Sequence, residues 1–330
     1  MEKAVPFFLV GLLTIGIASF RYGHAQRPGA QDEDIVRVST SLVTVPVSVK
    51  SRDSGFITTL RQEDFRIYED GTEQRIAHFE TADQPFTVVL ALDTSDSARI
   101  ELKDIQNAAI AFVKQLKSND RAQIVAFDAN IRVLCEPTSN QQALSQTIRQ
   151  VKTGGGTSLY EALDMLLTLD RKRRVGRAAI VVLTDGIDTS SVSATYESTL
   201  AKAGGQYALV YPVQYNSVAD LPLKKVPPNG GFGPVYTTAR GEPITKAFER
   251  GTRYLRMMAG VSGGRFQYAA SLTDLEHSFA RIAEELRQQY SIGYYPLDRL
   301  KKGKRRIKVT VNQGDIIHAR GSYIYTLDDR

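Results

Sequence analysis

Alternation of apolar and polar positions predicts β-strands in the first part of the chain. Every second residue from Val43 to Val49 is valine, which is the two-residue period of a half-buried strand. Pro46 within this run favours an edge strand, because proline has no N–H to donate to a neighbouring strand. Further along, Asp70-Gly71 separates two alternating segments, residues 65–69 and 75–79, and an Asp-Gly turn in that setting predicts a hairpin.

The same two-residue period returns in the last part of the chain. Strand-like patterns occupy residues 291–295, 307–311 and 316–325. We therefore expect residues 35–84 and residues 290–330 to pack together as one small β-rich module beside the central part of the chain.

Between these ends, over residues 85–289, buried strands alternate with amphipathic helices. The runs Phe86 to Leu92 and Ala178 to Thr184 are almost continuously apolar, as in parallel strands covered on both faces. The other predicted strands are residues 122–127, 131–135 (an antiparallel edge strand), 207–213 and 265–268. The predicted helices cover residues 105–116, 144–151, 159–169, 196–203, 246–259 and 272–286, the last with Ser271 as its N-cap. This order predicts a doubly wound α/β domain, with a mostly parallel sheet and helices on both faces.

Residues 217–243 interrupt the pattern with a stretch rich in proline and glycine. We interpret it as an irregular surface insertion within the α/β domain. A tolerated insertion is the simpler interpretation, and a binding loop is the alternative.

The first 25 residues resemble a secretory signal. A short charged start is followed by an almost wholly apolar or small run from Ala4 to Phe20, and Gly23-His24-Ala25 offers small residues where a signal peptidase cleaves. We expect cleavage after Ala25, a polar linker over residues 26–34, and export to the periplasm, the cell surface or the medium. The alternative is an uncleaved N-terminal membrane anchor.

Composition limits the remaining possibilities. The chain has 330 residues, of which 42% are hydrophobic and 24% charged, and this is the balance of a folded globular protein. One cysteine excludes a disulfide framework within the chain, and four scattered histidines do not suggest a histidine-rich metal site. The formal charge of +6 permits contact with acidic surfaces without indicating nucleic acid, and no nucleic-acid partner is expected.

Lysine and arginine are concentrated in two clusters, at residues 171–177 and 299–306. The simpler interpretation of each is a solvated turn, which also protects a strand edge in the second case. The alternative is docking of residues 299–306 on an anionic surface.

Oxygen-bearing side chains follow the two buried strands. Asp93, Ser95 and Ser97 come directly after the first, Asp185 comes after the second, and Thr157 follows a run of three glycines that precedes a helix. Ligands of open α/β sheets bind at the carboxyl ends of the strands, so we expect these groups to meet there. Three hydroxyls and two carboxylates are hard oxygen donors, and they suit magnesium or manganese completed by water, with calcium as a further candidate. Because two carboxylates only balance a divalent charge, an open position favours a carboxylate from a partner.

At these residues the chain resembles von Willebrand factor type A (vWA) domains that carry a metal-ion-dependent adhesion site. The motif of that family is D-x-S-x-S followed by a distant Thr and a distant Asp, and Asp93, Ser95, Ser97, Thr157 and Asp185 match it in order. The resemblance covers about residues 86–289. It implies that Ser95, Ser97 and Thr157 contact the metal directly, while Asp93 and Asp185 bind it directly or through water.

The flanking segments extend the resemblance. EDFRIYEDG before the domain and EELRQQYSIGYYP after it are similar to a vWA-related family of exported proteins described from acidobacteria. The chain departs from the adhesion motif at Asp96, where the family usually has glycine. Aspartate tolerates the left-handed backbone conformation, so the loop can still form. Its extra carboxylate could strengthen cation binding or repel an acidic partner.

The resemblance implies a non-enzymatic protein that binds a protein partner through a divalent cation. Two other interpretations remain open. The same residues could cap helices and fill turns in a scaffold that binds its partner without metal. A metal-dependent hydrolase is the alternative from another class, although no further base or substrate clamp can be assigned from the sequence.

Overall fold

The computed structural model describes residues 42–51, 55–95, 102–173, 177–205, 209–217, 236–238, 240–298, 303–319 and 322–325. The predicted signal peptide and linker, Asp96 and Ser97, and most of the insertion at 217–243 lie outside these residues.

Strands in the described residues are, in chain order, β1 (Val43–Ser51), β2 (Gly55–Phe56), β3 (Phe65–Glu69), β4 (Thr72–Gln74), β5 (Ile76–Glu80), β6 (Phe86–Asp93), β7 (Arg121–Phe127), β8 (Ile131–Val133), β9 (Arg177–Thr184), β10 (Leu209–Tyr215), β11 (Gln267–Ala269), β12 (Tyr290–Tyr294), β13 (Gly303–Val311), β14 (Asp315–Ala319) and β15 (Ser322–Tyr325). The α-helices are α1 (Leu102–Lys114), α2 (Gln141–Arg149), α3 (Leu159–Arg173), α4 (Tyr196–Gly205), α5 (Ile244–Ser262) and α6 (Leu272–Gln288). A short 3-10 helix covers Gln62–Asp64.

The centre of the protein is a sheet in the order β11-β10-β9-β6-β7-β8. Its strands are parallel except for β8, which runs antiparallel to β7 at the edge. Successive side chains of a strand point to opposite faces, so Leu90 and Leu92 of β6 pack on one side with α1, α2 and α6. Ala91 packs on the other side with α3, α4 and α5. The predicted doubly wound α/β fold is confirmed.

Helix α6 begins where the sequence predicts. The hydroxyl of Ser271 accepts a hydrogen bond from the backbone N–H of Asp274 at 3.2 Å, and it also lies 2.8 Å from the Asp274 carboxylate. This cap satisfies an N–H that the first turn of a helix leaves without a partner. Among the described helices, none is both long enough and apolar enough to cross a bilayer.

The first and last strands of the chain pair with each other and form two smaller sheets. One has the order β14-β1-β12-β5, with β2 also paired to β1, and the other has the order β15-β13-β3-β4. Val43 lies opposite Tyr294 in the first sheet, and Ile67 lies opposite Val309 in the second. Valines of β1 pack with Phe65 and Ile67 to form the core of this β module.

Three details of the β module differ from the sequence predictions. β1 lies between β14 and β12 and is not an edge strand; its pairing with β14 starts at Val47, so that Pro46 stands at the end of that pairing. The Asp-Gly turn joins β3 to the short strand β4, while β5, predicted to complete the hairpin, pairs with β12 in the other sheet. The predicted strand over residues 316–325 is divided into β14 and β15, which belong to different sheets.

The hairpin turn itself has the expected backbone. Asp70 has φ 47° and Gly71 has φ 91°, both in the left-handed region. A two-residue type I′ turn requires positive φ at both central residues, and Asp and Gly are the residues that tolerate it.

One basic cluster contains a buried arginine and the other a largely covered one, which corrects their interpretation as solvated turns. Arg305 is fully buried, and its guanidinium Nη1 lies 2.5 Å from Oε1 of Glu69. The side chain of Arg177 is only 10% exposed, and its Nη2 donates to the carbonyl of Thr81 at 2.6 Å. Lys304 and Arg306 are exposed, while residues 299–302 lie outside the described part of the chain.

Candidate functional site

Two aspartates meet at the carboxyl ends of adjacent strands. Asp93 ends β6 and Asp185 follows the last residue of β9; these strands pair in parallel, with Leu92 opposite Leu183. The exposed fractions of Asp93 and Asp185 are 0% and 1%. Burial, and then the negative charge of Asp185, raise the pKa of Asp93 to about 7.

Neighbouring residues hold the Asp93 carboxylate in place. The hydroxyl of Thr184 donates to Oδ2 at 2.6 Å, and the backbone N–H of Ser95 donates to Oδ1 at 3.0 Å. The second bond is that of an Asx turn, in which an aspartate accepts from its own backbone two residues on. Ser95 is itself buried, so the turn fixes both side chains at the sheet edge.

Thr157 lies on a loop that touches the loops after both strands. The N–H of Gly154 donates to the carbonyl of Thr94 at 2.8 Å, which ties this loop to β6. The carbonyl of Thr157 accepts from the N–H groups of Thr189 and Ser190 at 2.9 Å each, which ties it to the loop after β9. The structure therefore places Asp93, Ser95, Thr157 and Asp185 on three connected loops, while Ser97 lies outside the described residues.

Position 154 has no room for a side chain, because the carboxylate of Asp128 lies directly beside it. A Cβ on Gly154 would collide with the carboxylate of Asp128, which belongs to the loop after β7. The tripeptide before Thr157 thus allows its backbone to approach its neighbours, as the sequence suggested.

The Asp185 carboxylate accepts hydrogen bonds on both oxygens. The N–H of Ile187 donates to Oδ1 at 2.9 Å, and the hydroxyl of Ser217 donates to Oδ2 at 2.7 Å. The Asp185 carbonyl also accepts from the side-chain amide of Gln214 at 2.7 Å. Ser217 was assigned only to the insertion by sequence; its position just after β10 is the signal that could have linked it to this edge.

Asp128 is a further buried carboxylate that sequence reasoning missed. Its Oδ2 lies 2.6 Å from Nη2 of Arg132 and 3.2 Å from the hydroxyl of Thr94. Burial raises the pKa of Asp128, but the bonds from Arg132 and the Asn130 N–H outweigh burial and hold this pKa below its usual range. Asp128 directly follows β7 as Asp185 directly follows β9, and this repeated placement was the available signal.

Asp188 supports the start of α3. Its carboxylate accepts from the N–H of Tyr160 at 3.2 Å and from the hydroxyl of Ser191 at 2.5 Å. A carboxylate at a helix N-terminus meets the positive end of the helix dipole. We assign Asp188 a positioning role, because it fixes the loop after β9 against the helix that follows Thr157.

The arrangement fits a divalent cation. Within the described residues, no group of three or more His, Cys, Asp and Glu side chains is placed to hold a metal, so the candidate ligands are two carboxylates and the hydroxyls beside them. Burial, and then repulsion by the Asp185 carboxylate, raise the pKa of Asp93, so this pair disfavours two negative charges. A divalent cation would relieve this repulsion, and hard oxygen donors are the ligands that magnesium and manganese prefer.

A comparison with protein families gives a match within the central part of the chain. Residues 88–187 match the family model of the von Willebrand factor type A domain. The matched stretch contains all five residues of the predicted metal motif.

Two relatives and one solved structure show the extent of the likeness. The chain is 29% identical over 157 residues to an uncharacterized protein of Synechocystis, covering 46% of this chain and 35% of that protein. It is 24% identical over 213 residues to a UPF0353 protein of Mycolicibacterium gilvum, covering 60% of each. The chain thus matches less than two thirds of the length of either relative. The vWF domain of the type V pili tip protein Mfa5 from Porphyromonas gingivalis superposes with a TM-score of 0.44 and 14% identity, over 61% of this chain and 94% of that chain.

Proposed function

We propose that this chain, which contains a von Willebrand factor type A domain, binds a protein partner through a divalent cation. The proposed ligands are Asp93, Ser95, Ser97, Thr157 and Asp185, and magnesium or manganese is the proposed ion. The observation that carries the proposal is the pair of buried carboxylates at the ends of β6 and β9, with hydroxyls on the connected loops around them.

The partner is proposed to offer an acidic side chain. Two carboxylate ligands neutralise a divalent cation without giving it an excess of negative charge, so a further carboxylate is electrostatically acceptable at an open position. Cation binding would let a sheet edge with two buried aspartates attract an anionic group that it would otherwise repel.

We propose binding and not catalysis as the role of the site. Both aspartates are engaged by neutral donors, Thr184 and Ser217, in positions that suit ligands. A metal-independent scaffold that uses the same face is the second candidate, since hydrogen bonds already connect the three loops. The two candidates differ in whether partner binding needs the cation.

Titration calorimetry of the purified protein with magnesium and with manganese tests the proposal. We expect one site in the wild type and a loss of measurable affinity in Asp185→Ala and in Ser95→Ala/Ser97→Ala. Asp164→Asn is the matched control, because it neutralises an aspartate of α3 that pairs with Lys202 and is not a proposed ligand. Equal cation affinity in wild type and Asp185→Ala would contradict the proposal. The metal-independent scaffold would then be the remaining candidate.

Export is proposed from residues 1–25. N-terminal sequencing of the protein from separated cell fractions tests it. A mature chain that starts at Gln26 outside the cytoplasm is the expected result. An intact N-terminus in the membrane fraction would contradict cleavage and favour the anchor.

A further inference from the structure

We infer that a cationic pocket beside the proposed metal site forms a second subsite for an acidic peptide, so that the partner presents two carboxylates. This inference rests on the proposed function and adds to it the chemistry of the partner. The pocket has a volume of about 370 Å³ and lies between the β7–β8 edge of the sheet and the end of α2. Its polar lining, among the described residues, is Arg132, Thr147, Gln150, Lys152 and Thr153.

The charge of the pocket is positive. Arg132 and Lys152 both line it, and none of the described lining residues carries a carboxylate. Arg132 forms an ion pair with the carboxylate of Asp128. The side chain of Asp128 is only 2% exposed, whereas that of Arg132 is 41% exposed. The surface that a partner meets is therefore the lysine and the exposed part of the guanidinium, whose Nη2 is already bonded to Asp128. The hydroxyl of Thr153 and the amide of Gln150 beside them can donate further hydrogen bonds to an anion.

The pocket is connected to the proposed metal site by direct contacts. Nη2 of Arg132 donates to the hydroxyl of Thr94, the residue between Asp93 and Ser95, at 3.2 Å. On the other side, Thr153 precedes Gly154, whose N–H donates to the Thr94 carbonyl at 2.8 Å. A peptide that reaches the metal would thus pass over Thr94 and Gly154 before it reaches the pocket.

Sheet register gives the distance between the backbones that carry the two subsites. Leu92 of β6 lies opposite Ala126 of β7, and Ala126 lies opposite Arg132 of β8. Adjacent strands are about 4.8 Å apart, so the backbone of Arg132 stands about 10 Å from the strand that ends in Asp93, and its side chain reaches back to the hydroxyl of Thr94. Residues i and i+3 of a polyproline II segment point the same way and are about 9 Å apart, so a peptide with one carboxylate at the metal can place a second at the pocket that Arg132 and Lys152 line.

The probe is therefore the synthetic peptide acetyl-Gly-Asp-Pro-Pro-Asp-Gly-amide. Its two reference peptides replace either the first or the second aspartate with asparagine. Binding of each to the full chain is followed by NMR in magnesium, after calorimetry has established whether magnesium alone binds. We expect the peptide with two aspartates to bind about fivefold more tightly than either reference, as one added ion pair of ~1 kcal/mol would give.

Variants of Lys152 test whether the tighter binding of the peptide with two aspartates comes from the pocket. Lys152 is exposed, so Lys152→Gln should fold normally while it removes most of the fivefold preference, and Lys152→Glu should reverse it. Lys308→Gln is the matched control, because it removes one exposed lysine from the β module and should leave the preference unchanged.

The results separate this inference from the proposed function. If magnesium binds and the three peptides bind equally, or if Lys152→Gln and Lys308→Gln have the same effect, the second subsite is refuted while the metal site stands. If magnesium itself does not bind to the wild type, both proposals are overturned together.

Discussion

The hydroxyl of Thr184 donates a 2.6 Å hydrogen bond to the carboxylate of Asp93, across two strands that are 91 residues apart in the chain. The same hydroxyl oxygen accepts the N–H of Gly186 at 3.0 Å. Thr184 therefore links the end of β6 to the turn that presents Asp185. Thr184 thus helps to orient Asp93 directly and contributes to the turn that carries Asp185.

Replacing Thr184 tests this link. Thr184→Val keeps the shape but leaves a buried carboxylate oxygen and a buried N–H each short of one partner, and each loss costs about 1–3 kcal/mol. We expect a lower free energy of unfolding in urea and weaker magnesium binding. Thr184→Ser, which retains the hydroxyl, should bind magnesium nearly as well as the wild type. A valine variant equal to the wild type in both measurements would show that the link has no energetic role.

The raised pKa of Asp93 predicts how stability without divalent cations depends on pH. In the unfolded chain an aspartate has a pKa of about 4, whereas burial and Asp185 raise that of Asp93 to about 7 in the folded protein. Between these values the folded state holds more protons than the unfolded state, so stability falls as pH rises through this window and the loss is complete above the folded pKa. The slope from this residue is at most about 1.4 kcal/mol per pH unit.

Asp93→Asn should remove this contribution. Urea unfolding in EDTA across the window should show a flatter pH dependence for the variant than for the wild type. Asp104→Asn, a change at an exposed carboxylate in the first turn of α1, should keep the wild-type slope. Parallel pH profiles for wild type and Asp93→Asn would contradict the raised pKa.

Two glycine-to-alanine changes should have opposite effects. Gly154→Ala forces a methyl group against the Asp128 carboxylate, and we expect it to destabilise the protein by about 1–3 kcal/mol and to weaken cation binding through the Thr157 loop. Gly260→Ala meets no atom within 4 Å on the exposed side of α5, and it should stabilise the protein by about 0.5–1 kcal/mol. Thermal unfolding checks both predictions: the melting temperature should fall in Gly154→Ala and rise in Gly260→Ala.

The β module depends on a buried ion pair. Glu69 binds Arg305 through Oε1 and accepts the Tyr294 hydroxyl on Oε2 at 2.7 Å. Glu69→Ala would leave the Arg305 guanidinium buried without this partner, and we expect a loss of about 3–5 kcal/mol in the free energy of unfolding.

The exposed pair of Arg66 and Glu73 in the same sheet provides the control. Its nitrogen and oxygen are 2.8 Å apart, and its side chains are 61% and 51% exposed. Glu73→Ala should cost no more than about 1 kcal/mol, because solvent screens an exposed pair. If Glu69→Ala and Glu73→Ala lowered the free energy of unfolding in urea by similar amounts, the expected effect of burial on the two ion pairs would be contradicted.

The local order of apolar and polar residues was sufficient to predict the strands and helices of the α/β domain. Continuous apolar runs such as Phe86 to Leu92 predicted strands buried on both faces, because only a strand between two helical layers can hide both sets of side chains. Ser271 predicted the start of α6, because its hydroxyl can cap a helix only at that position. These features depend on a few adjacent residues, so the sequence records them directly.

Partners that are distant in the chain could not be predicted in the same way. Pro46 suggested an edge strand, yet β1 is flanked on both sides, because β14 returns from more than 260 residues later to pair beside it. Arg305 belonged to a basic cluster by sequence, but the register of β13 against β3 turns it into the core toward Glu69.

The sequence by itself determined which oxygen donors follow which strands, since the motif from Asp93 to Asp185 can be read in order along the chain. Only the tertiary structure decided what surrounds them: Thr184 on Asp93, Ser217 on Asp185, and Arg132 beside Thr94. The physical reason is that a strand's pattern fixes its own faces, whereas its neighbours are set by sheet order, crossovers and packing of the whole domain.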